Sequence, residues 1–174
     1  MTKTGLGALP DTRAKLGALQ LITAVIVLDQ FFKQVMIDQG SAGGLPIAVT
    51  PFFNLVLGFN RGVTFGLLAS DNPYAPYLLG GLAIIFSIGF WIMLIRSPRT
   101  HERLGLAAVA GGALANAIDR LYRGAVTDFL DFHAAGWHWP AFNLADVAIV
   151  CGVALLLASA WRNAPAGPTT DRGV

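Results

Sequence analysis

Four stretches of this chain are long and apolar enough to cross a bilayer, and that restricts the fold before any single residue is considered. They run roughly from Leu16 to Ile37, Tyr74 to Ile95, Leu104 to Tyr122 and Phe142 to Trp161. A helix needs about 20 mainly apolar residues to cross ~30 Å of hydrocarbon. Only 13% of the 174 residues are charged and 55% are hydrophobic, whereas soluble domains carry about 25% charged residues. The expected fold is an all-α membrane protein: four transmembrane helices with a small extracytoplasmic β-element at about residues 40–70. One membrane domain over residues 1–163, followed by a disordered cytoplasmic tail at 164–174, accounts for the whole chain. A second, soluble domain does not fit.

The placement of charge orients the spans. Lys3, Arg13, Lys15, Arg96, Arg99, Arg103, Arg162 and Arg172 fall at one end of the helices, against Lys33, Arg61, Arg120 and Arg123 at the other. The positive-inside bias then puts both termini in the cytoplasm. Asp29, Asp38, Asp71, Asp119, Asp128, Asp131 and Asp146 lie on or near the outer side. The cations merely flank spans, so no nucleic-acid surface is indicated. Basic residues followed by an apolar run imitate a signal peptide, but the run continues to Ile37 without a small-x-small site and is expected to be retained. The single cysteine, Cys151, is expected as a small buried thiol within the fourth span.

Between spans one and two, Ile47, Val49, Phe53, Leu55, Leu57 and Phe59 alternate with other residues as a half-buried strand does. Pro46, Pro51, Gly58 and Gly62 punctuate the segment. It is expected to lie against the outer membrane face, its apolar side towards lipid, a lipidated ligand or the helix ends. The second outer segment, Arg123 to Pro140, carries His133, Trp137, His138 and Trp139, as an interfacial aromatic belt would. Gly80-Gly81 and Gly111-Gly112 are expected at close helix contacts.

Polar residues in such spans are costly and mark function by default. Asp29 and Lys33 are four apart and share a helical face; an ion pair that eases insertion and a brace for a neighbouring site are compatible readings. Asn116, Asp119 and Arg120 cluster at the end of span three, where Arg120 can snorkel to the interface but Asn116, a turn deeper, requires a partner. Asn143 and Asp146 open span four, and a helix cap explains them as well as chemistry does. Asp128 follows Gly124 in what reads as a loop, flanked by apolar residues, and no cap explains it. Asp131, three residues on, competes for the same role. Two carboxylates able to share a proton would activate water. A metal site is poorly supplied: there is no His-Glu-x-x-His, and His133 and His138 stand alone in a loop. A serine or cysteine nucleophile has no base in its segment.

Five blocks in order carry a family resemblance: Asp29-Gln30-Phe31-Phe32-Lys33; Asn60-Arg61-Gly62 through Phe65-Gly66; Gly112 through Asn116 to Asp119-Arg120; Val126-Thr127-Asp128-Phe129; and Phe142-Asn143-Leu144-Ala145-Asp146. Together, over Leu16 to Trp161, the chain resembles lipoprotein signal peptidases (signal peptidase II), bacterial four-span membrane aspartyl proteases. Ala115 stands where that family often has Gly, and Val63-Thr64 replaces a usual small pair. The resemblance implies that Asp128 and Asp146 are the catalytic dyad and sets Asp131 and Asp119 aside. It implies that Asn60, Gly62, Asn116, Arg120 and Asn143 support substrate and dyad, with Asp29 and Lys33 as accessory polar residues. It further implies a monomer in the inner membrane that cuts diacylglyceryl-modified prolipoproteins just before the lipidated cysteine, needing no metal or organic cofactor, with membrane lipid as its other partner. A rival reading makes Asp29, Asp128 and Asp146 the proton path of a small transporter, and a third makes the polar pairs structural. A proton path predicts carboxylates at several depths, whereas these gather at one face.

Overall fold

The computed structural model describes residues 9–62 and 72–162, with side chains from residue 12. Its elements run α1 (Leu9–Ser41), β1 (Ile47–Thr50), β2 (Phe53–Asn60), α2 (Ala75–Arg96), α3 (Thr100–Arg123), β3 (Val126–Ala134), β4 (Trp137–His138) and α4 (Leu144–Arg162). All four helices are long and apolar enough to span a bilayer. The alternating segment after span one forms β1 and β2, as expected. Val63-Thr64, Phe65-Gly66, Asp71, residues 63–70 of the expected 40–70 element and the tail at 164–174 lie outside the described residues.

Polarity is distributed inside out. Leu78, Ile85, Phe86, Val150 and Leu157 expose more than half of their surface, while Asp29, Lys33 and Asp119 expose none. Apolar surface turned outward is stable only against hydrocarbon, and the ionic groups must find partners within the bundle. Cys151 follows the same rule: it is exposed on α4 rather than buried, because a small thiol is as compatible with lipid as with a core.

α3 is the central helix, packed by α1, α2 and α4. Its Gly105, Ala107, Ala108, Ala110, Gly111, Gly112 and Ala115 are buried, and small residues let backbones approach where the hydrophobic effect between helices is absent. Gly105 meets Gly152 of α4 almost backbone to backbone, Gly112 meets the Ala145 carbonyl, and Gly111 lies on Ile22 of α1. The expected glycine contacts are thus present at Gly80, Gly111 and Gly112, but Gly81 faces open space.

The second outer segment is not the loop its sequence suggested. β3 pairs antiparallel with both β2 and β4, giving one sheet in the order β1-β2-β3-β4. Polar Asp128, Asp131 and His133 interrupt the apolar alternation that would have announced β3; pairing with β2 and the two-residue turn Ala135-Gly136 override it. That turn has φ 49° and 81°, the left-handed pair that matches hairpin twist. A second tie fixes where α4 begins. Phe142 accepts from the N–H groups of Phe129 and Leu130 and donates back to Leu130, so the lead-in to α4 is sewn onto β3.

Candidate active site

The sewing of Phe142 to β3 brings the residue after it, Asn143, against the first residues of that strand. Asn143 is fully buried and its side-chain amide donates to Asp128 Oδ1 at 2.7 Å. At the other end of the same residue, its backbone N–H donates to Asp146 Oδ2 at 3.2 Å, and its Oδ1 accepts from the Asp146 N–H at 3.0 Å. This reciprocal pair is a capping box at the start of α4. The cap uses Asp146 Oδ2 and leaves Oδ1 for a partner on another element, so a capping role does not exclude a chemical one.

Asn116 completes the contact from α3. Its amide donates to Asp146 Oδ1 at 2.9 Å, and its Oδ1 accepts from Lys33 at 2.9 Å and from Asn143 at 3.3 Å. The close crossing at Gly112 and Ala145 is what lets Asn116, one turn further along α3, reach the first turn of α4. Arg120, on the same face of α3, donates to the Gly62 carbonyl at 2.9 Å, and its buried Nε has no hydrogen-bond partner among the described residues. Asn60 accepts from the Gly62 N–H at 3.0 Å and also hydrogen-bonds Asp128. Gly58 stands directly opposite Asp128 in the β2–β3 register. Cross-strand partners share a face of the sheet, so the missing side chain leaves Asp128 uncrowded.

Burial pushes the Asp128 carboxyl up to about 7, reinforced by the charge of Asp146 and opposed by Asn143, Asn60 and Lys33. Asp131 contrasts with it. It lies further along β3, hydrogen-bonded by Asn54 at 3.0 Å and with His138 Nδ1 2.9 Å from both its oxygens. Burial acts upward there too, yet His138 and Asn54 hold it below the usual carboxylate range. The His133 and His138 rings stack, 4.8 Å between centroids.

All nine residues singled out from the sequence, Asp29, Lys33, Asn60, Gly62, Asn116, Arg120, Asp128, Asn143 and Asp146, join one connected network. Asp29 and Lys33 form a fully buried ion pair at 2.7 Å. Sequence reasoning missed the contribution of Asp119, which takes the Thr127 N–H at 2.9 Å and pairs with Lys33 and Arg123. It also missed Gln30, which donates to Asp119 at 3.0 Å. The spacing of Asp119 and Arg123, four apart on one helix, was the available signal.

A family model described as Signal peptidase (SPase) II matches residues 21–162. The lipoprotein signal peptidase of Azoarcus sp. (strain BH72) is 44% identical over 164 residues, covering 92% of this chain and 90% of that protein. The namesake from Burkholderia mallei (strain SAVP1) is 46% identical over 136 residues, 76% of this chain and 80% of that one. A bacterial membrane enzyme solved by the in meso method at 2.3 Å resolution shares the fold, with a TM-score of 0.69 over 91% of this chain and 94% of its own, at 24% identity. A second, at 1.9 Å, gives 0.64 over 84% and 94%, at 25% identity.

Proposed function

This chain belongs to the signal peptidase II family, a protease that removes the signal peptides of lipoproteins from within the bacterial inner membrane, and from that premise we propose an aspartic mechanism carried by Asp128 and Asp146. The observation that carries it is Asn143, which holds a hydrogen bond to each carboxylate at once. Burial and the negative charge of Asp146 disfavour ionisation of Asp128, so that carboxyl retains a proton. The upward push on Asp128 to about 7 supports this, since it keeps that proton available near neutral pH.

Hydrolysis proceeds in balanced steps. The ionised carboxylate takes a proton from water as the water oxygen attacks the scissile carbonyl; the protonated carboxyl donates to that carbonyl oxygen. Collapse of the tetrahedral intermediate breaks the C–N bond: the carboxyl protonated by water gives its proton to the leaving amine, and the other carboxylate takes back a proton from the gem-diol hydroxyl, which restores the dyad. Asn143 and Asn116 hold the oxygens of the dyad in place, and the Nε of Arg120, without a partner among the described residues, supplies a donor towards developing negative charge. The bond cut lies just before a diacylglyceryl cysteine, its lipid tails remaining in the bilayer while the peptide meets water at the outer surface. The exposed apolar side chains of the sheet, Phe52, Phe59, Trp137 and Trp139, support that lipid-facing arrangement. The domain at 1–163 acts as a monomer with both termini cytoplasmic.

The test is cleavage of a diacylated prolipoprotein by enzyme reconstituted in membranes. Asp128→Asn and Asp146→Asn are each expected to lose at least 100-fold, roughly what a positioned acid or base contributes, while still inserting. Near-normal cleavage by either variant overturns the dyad. Asp131→Asn is expected to stay within about threefold of the parent, as a residue held by His138 and Asn54 away from the chemistry.

A further inference from the structure

Two more carboxylates are fully buried beside the dyad, and each grips the backbone one residue before a dyad aspartate. Asp29 Oδ1 accepts the N–H of Ala145 at 2.8 Å, immediately before Asp146. Asp119 Oδ2 accepts the N–H of Thr127 at 2.9 Å, immediately before Asp128. The two grips meet at a single cation. Lys33 Nζ lies 2.7 Å from Asp29 Oδ2 and 3.1 Å from Asp119 Oδ2, and it donates to Asn116 Oδ1, whose amide holds Asp146. All three side chains are inaccessible to solvent.

Resting on the dyad reading above, we propose that Lys33, acting through Asp29 and Asp119, is the positioning residue that sets the separation of Asp128 and Asp146. A pinned amide lies one peptide plane, ~3.8 Å in Cα spacing, from the residue that follows. Each dyad carboxylate is thereby left with its own side-chain torsions and little backbone freedom. An ionised acceptor grips an amide more strongly than a neutral one, yet two ionised carboxylates this close repel unless a cation stands between them. Lys33 meets that need and couples α1 to both arms of the site, one on β3 and one on α4. Arg123, from the end of α3, adds a second cation on Asp119. Without Lys33, the two grips would lose their common anchor and the dyad would spread while its residues remained present.

The charge of Lys33 also reaches the dyad directly. Asp128 is surrounded by Asp146 from α4, Asn143 before it, Asn60 from β2, Arg120 from α3 and Lys33 from α1, and the last acts to lower its titration. The pH profile therefore separates positioning from general damage to the fold.

The experiment measures kcat and KM for a diacylated prolipoprotein across the range from about pH 5 to 9, using reconstituted enzyme. Lys33→Met is expected to lower kcat at least tenfold with KM little changed and to move the bell-shaped profile to higher pH; Lys33→Arg is expected to recover most of the rate and the parent profile. The charge-balanced double variant Lys33→Met with Asp29→Asn, which keeps an acceptor for the Ala145 N–H and leaves Asp119 paired with Arg123, is expected to insert with normal thermal stability and still show the reduced kcat. In the parent enzyme, amide exchange at Thr127 and Ala145 is expected to be among the slowest in the protein. Normal kcat in the double variant, an unmoved profile in Lys33→Met, or rapid exchange at either amide overturns the positioning role. If Asp128→Asn or Asp146→Asn cleaves normally, it is the dyad that fails instead.

Discussion

Asn143 shows how much one side chain can join. Its backbone and Oδ1 cap α4 through Asp146, and its amide reaches Asp128. A segment read alone offers capping or chemistry as competing accounts of these residues. In three dimensions the residue that caps α4 with Asp146 is the same one whose amide reaches Asp128. A pH effect belongs to this scale. In the folded protein the Asp128 carboxyl is raised from 3.8 to about 7, so between those values it keeps a proton that the unfolded chain releases. Stability accordingly falls as pH rises through that window. Removing the neighbouring charge with Asp146→Asn is expected to lower the Asp128 titration from about 7 towards the ordinary carboxylate range. Carbon-13 titration of labelled aspartate carboxyls in detergent reads this directly, and a titration that stays at about 7 or rises contradicts the electrostatic link.

Among the elements, α3 decides the geometry. Its small residues admit α4 so closely that a side-chain carbon at Gly112 would collide with the Ala145 carbonyl. Ala145 is the residue pinned by Asp29 and followed by Asp146. Gly112→Ala is therefore expected to push the start of α4 away and to cost at least tenfold in cleavage, in line with the rough 100-fold penalty of a misplacement of about 1 Å. Gly81→Ala, with nothing within 4 Å of the added carbon, is expected to leave cleavage unchanged and thermal stability within about 0.5 kcal/mol. Equal damage from the two would mean that glycine content, rather than this crossing, governs the bundle. The sheet carries the complementary lesson. β1 and β2 were legible because apolar residues alternate there. β3 was not, because polar Asp128, Asp131 and His133 break its alternation, and of these Asp128 is the one the site uses.

For the whole molecule, the polar network gathers at the sheet end of the bundle, while apolar side chains cover the outward faces of the helices. Arg96, Arg99, Arg103 and Arg162 lie at the opposite end of the helices from the sheet, and the positive-inside bias is the basis of the proposal that this end is cytoplasmic. In a Cys151→Ser background, His101→Cys, on an exposed residue of α3 near its start, is expected to react with an impermeant thiol reagent only after the cytoplasmic side is opened. Ala48→Cys, exposed on β1, is expected to react from the outside in intact cells. The reverse pattern would invert the topology and place hydrolysis on the wrong face for a secreted lipoprotein.

The sequence by itself determined the four helices and the residue types of the site, because hydropathy, charge placement and helical spacing are local properties of a chain in a bilayer. It located Asp29 and Lys33 as a pair for the same reason: both lie on one turn of one helix. Only the tertiary structure decided which groups meet across elements: Asn143 between Asp128 and Asp146, and Lys33 between Asp29 and Asp119. Those contacts join α1, α3, α4 and β3, and they depend on how closely glycines let the helices approach and on Phe142 pairing with β3. Neither is encoded in the periodicity of any one segment.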